Sequence, residues 1–166
     1  NKGNFEFEDI TAKAKIGGGK GWHNGVTMAD VNADGYLDIY VCRGGWKSPI
    51  VERTNLLFIN QQDGTFEEQA DLFGLADEGY STQSAFFDMD NDGDLDMYLM
   101  NRPERFFLNY QNVLKGKEDQ NDLYRDKLYI NDNQQFIEVG LESGITKNFA
   151  YGLGISTADL NQDGYI

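Results

Sequence analysis

Apolar and polar residues alternate with a period of two in short runs along this chain, and no run is long. "FEFEDI" puts Phe5, Phe7 and Asp9 on one face and Glu6, Glu8 and Ile10 on the other. "DIYV" (38–41), "NLLFIN" (55–60), "DMYL" (96–99) and "KLYIN" (127–131) are β-branched and aromatic stretches flanked by Gly, Asn and Asp. The Asp63-Gly64 pair in "QDGTF" predicts a tight hairpin turn after "NLLFIN". No segment has the length or the period of a substantial helix. The pattern predicts an all-β protein of short strands joined by turns.

The runs recur in a fixed order. "DVNADGYLD" begins at Asp30, "DMDNDGDLD" at Asp88 and "DLNQDGYI" at Asp159; all three read D-x-[DN]-x-D-G-x-[LI], and the third stops at Ile166. An aromatic residue (Trp22, Tyr80, Tyr151) stands eight positions before each first Asp. Their shared position assigns all three to packing. Further upstream, "FEDITAKAKI", "FEEQADLFGL" and "FIEVGLESGI" start at Phe7, Phe66 and Phe136, 59 and then 70 residues apart. The longer spacing reflects an insertion, "PERFFLNYQNVLKGKEDQNDLYRD", expected to be a surface loop. Repeat units therefore fall at about 7–65, 66–135 and 136–166, the last truncated. A four-stranded unit of about 60 residues, repeated, is the signature of a β-propeller blade. Propellers close with about 4–8 blades, and an open stack exposes a sheet edge. The expectation is thus about 2.5–3 blades of a larger ring, with the remainder beyond residue 166.

Charge changes the picture. Of 166 residues 28 are acidic and 14 basic, a formal net charge of −14. That excludes a phosphate-reading face for nucleic acid and disfavours anionic membranes. No apolar run approaches the roughly 20 residues of a membrane span. The single cysteine, Cys42, allows no internal disulfide and reads as a core residue.

The acid is concentrated where repulsion is worst. Asp88, Asp90, Asp92, Asp94 and Asp96 fall within nine positions, an arrangement that costs free energy unless a cation neutralises it. Oxygens at positions 1, 3 and 5 of a tight turn can converge on one point, with Gly35, Gly93 or Gly164 at position 6 supplying the positive φ that the turn needs. Position 7 offers its backbone carbonyl, and an Asp at position 9 closes the shell. Loop 1 thus presents Asp30, Asn32, Asp34, the Tyr36 carbonyl and Asp38. Loop 2 presents Asp88, Asp90, Asp92, the Asp94 carbonyl and Asp96, with the Asp94 side chain expected to face solvent. Loop 3 presents Asp159, Asn161, Asp163 and the Tyr165 carbonyl. Six to eight hard oxygen donors suit Ca2+ better than the strict octahedron of Mg2+. An EF-hand would need Glu at position 12 between helices, where Val41 and Leu99 stand in strand-like runs. The alternative is a solvated acidic turn that holds no ion.

"MADVNADGYLDIYV", "FFDMDNDGDLDMYL" and "TADLNQDGYI", with "NLLFINQQDGTF" and "KLYINDNQQF", resemble the FG-GAP/VCBS repeat family of integrin-α-like propellers. The likeness is closest to bacterial VCBS proteins related to cartilage acidic protein. It implies a typically seven-bladed ring in which Ca2+ sits in the hairpin between a blade's first two strands. It also implies an extracellular, cell-surface or periplasmic scaffold that binds protein or glycan without catalysis. Alternatives are a propeller of a secreted polysaccharide lyase or hydrolase, or a docking subunit of a cell-envelope complex. Trp46, after Gly44-Gly45, is the candidate ligand contact. No catalytic set assembles: His23 reads as structural, and Glu67, Glu68 and Glu138 read as solvated strand edges.

Overall fold

Within each sheet every strand pairs with the next one along the chain. A computed structural model describes residues 1–45, 48–103, 122–145 and 151–166. The first sheet contains β1 (His23–Ala29), β2 (Asp38–Arg43), β3 (Leu56–Asn60) and β4 (Phe66–Glu68), antiparallel in the order β1-β2-β3-β4. The second contains β5 (Ser81–Phe87), β6 (Asp96–Asn101), β7 (Lys127–Asp132) and β8 (Gln135–Glu138), in the order β5-β6-β7-β8. Two four-residue helices, α1 (Ile50–Arg53) and α2 (Ala70–Phe73), and a 3-10 turn at Asp122–Tyr124 lie between strands. The protein is all-β, and the sheets are antiparallel four-stranded units of the kind that make propeller blades.

Strand alternation decides which residues meet. Tyr40 and Cys42 of β2 and Leu57 and Ile59 of β3 project from one face of the first sheet. Met97, Leu99, Tyr129 and Phe136 meet them from the second, with Ala70, Phe73 and Leu75 in the same buried cluster. Phe86 stands edge-on to Tyr40 at 5.8 Å and to Phe136 at 6.2 Å. Cys42 is fully buried, and burial pushes its thiol up to about 12, so it packs as an apolar residue.

The first strands of the two sheets touch most closely. Asn24 Nδ2 donates to the Ser81 carbonyl at 2.7 Å, and Thr27 Oγ1 donates to the Ser84 carbonyl at 2.9 Å. A Cβ on Gly25 would lie 2.4 Å from the Thr82 carbonyl oxygen. Alanine there would stiffen the unfolded chain, worth about 0.4–1 kcal/mol. The clash is with backbone and costs about 1–3 kcal/mol, so it wins. Gly25→Ala is expected to lower stability by 1–2 kcal/mol on that balance. Urea unfolding checks this, and an unchanged midpoint would mean that the sheets do not pack this tightly.

Several sequence expectations need correction. "FEFEDI" forms no strand: its order ends with an isolated Gly3–Glu6 bridge, and Phe5 and Phe7 are exposed. The matching segments at Phe66 and Phe136 become β4 and β8 because β3 and β7 supply hydrogen-bonding partners. Those segments therefore close the sheet before them, and the sheets run from 23 to 68 and from 81 to 138, out of phase with the sequence units. Of the three repeated aromatics only Tyr80 is buried, covered by Arg53 with its guanidinium 5.0 Å from the ring centre and by Tyr124. Tyr151 is half-buried, and Trp22 is exposed.

Two of the glutamates read as solvated are anchors. Glu68 Oε1 accepts the Leu57 and Ala70 N–H groups at 3.2 and 2.9 Å. Glu138 takes both terminal nitrogens of buried Arg125, at 2.9 and 2.8 Å, which holds its carboxyl below the usual range. Trp46 and most of the "PERFFLNYQNVLKGKEDQNDLYRD" insertion lie outside the described residues.

Candidate metal centre

All three acidic hairpins fold by the same local scheme. The position-1 carboxylate closes the turn by accepting the position-6 N–H: Gly35 to Asp30 at 2.8 Å, Gly93 to Asp88 at 3.1 Å and Gly164 to Asp159 at 2.9 Å. Position 5 then accepts from position 7: Tyr36 to Asp34, Asp94 to Asp92 and Tyr165 to Asp163, at 2.9–3.0 Å. Positions 4 and 6 are left-handed in every loop. Ala33, Asn91 and Gln162 have φ of 57–61°, while Gly35, Gly93 and Gly164 have φ of 89–98°. Non-glycine residues at such angles cost about 1–2 kcal/mol each. Three independent copies of that strain mark a conformation the sequence specifies.

Position 9 fixes loops 1 and 2 to the sheet. Asp38 is buried, and its two oxygens accept the N–H groups of Val31 at 3.0 Å and Asn60 at 2.8 Å. Asp96 repeats this with Met89 and Asn131, both at 2.9 Å. Each therefore ties the loop's second residue to the third strand of its own sheet. Burial raises the pKa of both carboxyls, and these N–H donors oppose that rise.

Loop 2 differs at its centre. One oxygen each from Asp88, Asp90 and Asp96 lie within 4.8 Å of one another, the one such convergence among the described residues. In loops 1 and 3 position 3 is an amide that donates to the position-5 carboxylate, Asn32 to Asp34 at 3.1 Å and Asn161 to Asp163 at 2.7 Å. Those loops relieve part of their repulsion internally. With Asp90 at that position, loop 2 cannot.

Two carboxylate oxygens in loop 2, Asp88 Oδ1 and Asp94 Oδ1, are buried and lack any hydrogen-bond partner. Asp94 is half-buried with this one oxygen out of solvent, where the sequence predicts a solvent-facing side chain. Its carboxyl is raised to about 6, first by burial and then by the neighbouring charges of Asp92, Asp96 and Asp90. A carboxylate oxygen that is out of solvent and unpartnered is unfavourable unless a counter-charge arrives. The donor set fits a hard divalent cation. Asp88, Asp90 and Asp96 would hold it, and it would supply structural charge neutralisation.

The loops share one rim of the stacked sheets. Asn91 Nδ2 of loop 2 donates to the Gly164 carbonyl of loop 3 at 2.8 Å. Between loops 1 and 2 a cavity of about 360 Å³ is lined by Asp30, Asn32, Asp94, Asn131 and Gln134 among others.

Acidic loops on the rim of stacked four-stranded antiparallel sheets define a propeller-type repeat protein. A family model described as an FG-GAP-like repeat matches residues 50–99, which run from α1 through loop 2 into β6. No curated protein matches the chain.

Proposed function

We propose that this chain is the calcium-stabilised part of an extracellular or cell-surface β-propeller that binds a protein or glycan ligand rather than catalysing a reaction. The observation that carries the reading is loop 2: three convergent carboxylates beside two buried, unpartnered carboxylate oxygens. Unpaired anions in such a turn need a cation, and all-oxygen donors select Ca2+. Loops 1 and 3 repeat the backbone geometry, which supports further sites of the same kind. Sites with Kd near 10 μM fill at the roughly millimolar Ca2+ found outside cells and are mostly empty in cytosol. The integrin-like and VCBS-like character of the motifs supports the same compartment and a binding role. Within that reading the blades are a rigid frame, and the segments joining strands carry the ligand contacts.

Calorimetric titration of the chelated chain with CaCl2 tests the metal half. At least one site tighter than about 100 μM is expected, and heat changes no larger than dilution would reject it. Retention of the chain on immobilised glycans and on extracellular-matrix proteins, with and without EDTA, tests the ligand half. Calcium-dependent retention is the expected result. Turnover of a polysaccharide in the same samples would replace the scaffold reading with an enzymatic one.

A further inference from the structure

Residues 1–16 repeat the hydrogen bonds that lead out of β3 and β7, yet they join no sheet. Asn1 Oδ1 accepts the Gly3 N–H at 2.8 Å, as Asn60 accepts Gln62 at 2.9 Å and Asn131 accepts Gln134 at 2.8 Å. The Lys2 N–H donates to the Glu6 carbonyl at 2.8 Å, as Gln61 donates to Thr65 at 2.9 Å. Asp9 then accepts Thr11 at 2.9 Å, where Glu68 accepts Ala70 at 2.9 Å and Glu138 accepts Gly140 at 2.7 Å. The following turn closes alike three times, with Ile16 donating to Thr11, Leu75 to Ala70 and Ile145 to Gly140. Lys15, Gly74 and Gly144 are left-handed at the same place in it. Lysine there costs about 1–2 kcal/mol, so the turn is specified and not a default.

One link is missing. Gln69 donates its N–H to the Leu57 carbonyl and Val139 donates to Leu128, both at 2.8 Å, which ties each turn to a third strand. Ile10 holds the corresponding position, and its N–H has no acceptor among the described residues. The first sheet is also open on the matching side. Ser84 and Phe86 of β5 meet the sheet before them through Thr27 and Tyr40, whereas Val26 and Met28, at the same positions of β1, are exposed. The Ala14 carbonyl holds this turn to β4 through the Phe66 N–H at 2.9 Å, just as the Leu72 carbonyl holds the next turn to Gln135 of β8 at 2.7 Å.

We propose that residues 1–10 are the closing hairpin and outer strand of a further four-stranded sheet that covers Val26 and Met28. Its third strand runs into Asn1, lies antiparallel to Phe7–Asp9 and accepts the Ile10 N–H on a backbone carbonyl. The occupant is thus a strand of the "NLLFIN" and "KLYIN" kind, not a second copy of this chain. Register follows from the observed pairs: Phe66 faces Asn60 and Phe136 faces Asn131, so Phe7 faces Asn1. Calcium plays no part in this docking, so the two readings fail separately.

Hydrogen exchange read by NMR compares the chain with a version extended before Asn1 by a copy of Gly17–Ile59, in which Asn1 takes the place of Asn60. In the parent the Ala14 and Ile16 amides should be protected while Ile10 exchanges freely. The extension should slow Ile10 by about a hundredfold or more. Met28 should be oxidised by peroxide in the parent and resist it in the extended chain. A folded extended chain in which Ile10 and Met28 behave as in the parent overturns the proposal. So does a parent dimer, seen by light scattering, in which Ile10 is protected. Should the extension not fold, the parent alone decides. Protection at Ile10, or its absence at Ala14 and Ile16, then rejects the proposal, and the opposite pattern upholds it.

Discussion

Millimolar Ca2+ is expected to raise the melting temperature of the chelated chain by roughly 10–20 °C. A ligand at 100 times its Kd stabilises the folded state by about 2.7 kcal/mol per site. Two sites give about 5 kcal/mol, and 1 kcal/mol moves the midpoint of a domain this size by about 2–4 °C. Few single interactions in the chain approach that sum. The effect should also invert with pH. In EDTA the raised carboxyls of Asp94, Asp96 and Asp38 matter, because burial and mutual charge destabilise their ionised forms. A carboxyl whose folded pKa exceeds its unfolded value contributes stability below the unfolded value and loses it as pH rises through the folded one. Asp94 titrates near 6 and an unfolded Asp near 3.9, so chelated protein should gain stability between about pH 7 and pH 4. Asp34, Asp159 and Asp163 have lowered pKa values from backbone N–H donors and oppose this only below that window. With calcium present the slope reverses, since protons compete for the ligand oxygens. Differential scanning calorimetry at pH 4.5, 6 and 7.5, with EDTA and with 5 mM CaCl2, reads both slopes. Parallel slopes in the two buffers would show that calcium does not engage these carboxylates.

Much of this was legible from residue order, for physical reasons that differ between elements. The acidic hairpins were readable because their chemistry is local: positions 1, 5, 6 and 7 hydrogen-bond within one turn, so spacing alone fixes the geometry. Strand existence was readable in "DIYV" and "NLLFIN" for the same reason. Pairing was not local. "FEFEDI" and "FEEQA" have similar patterns, yet only the second finds a strand to join, and the pattern cannot encode a neighbour's presence. Trp22 and Tyr80 share a repeat position, but Arg53 and Tyr124 cover only Tyr80. The anchoring role of Glu138 was hidden likewise, because its partner Arg125 stands before β7 and reaches it only once β7 and β8 have paired. Asp94 is the instructive case. Its identity stood out at position 7, but no local rule supplies the burial of its Oδ1. The aspartates at position 9 hold a second lesson. The sequence proposes them as the last ligand of a cage; the structure shows the other half, a tether from the loop to the third strand of its sheet.

Asp96→Asn separates those two halves and is expected to be strongly damaging in calcium. Both Asp96 oxygens accept backbone N–H groups, from Met89 in the loop and Asn131 in β7. An amide can accept one and must aim its NH2 at the other, leaving a buried N–H facing a donor. That costs about 1–3 kcal/mol. The ionised carboxylate itself is unfavourable in this buried position, so the net loss in EDTA should sit at the lower part of that range. In calcium the substitution also removes a ligand charge from the convergent Asp88–Asp90–Asp96 set, adding up to about 2.7 kcal/mol. Urea unfolding should therefore show a loss of about 1–2 kcal/mol in EDTA and about 3–5 kcal/mol in calcium. Asp38→Asn should follow the same two-step pattern with a smaller calcium increment, because loop 1 carries less charge. Equal losses in both buffers would leave Asp96 a purely structural tether between loop and third strand. A loss confined to calcium would mean instead that the loop is held by the ion alone, with the tether to β7 idle.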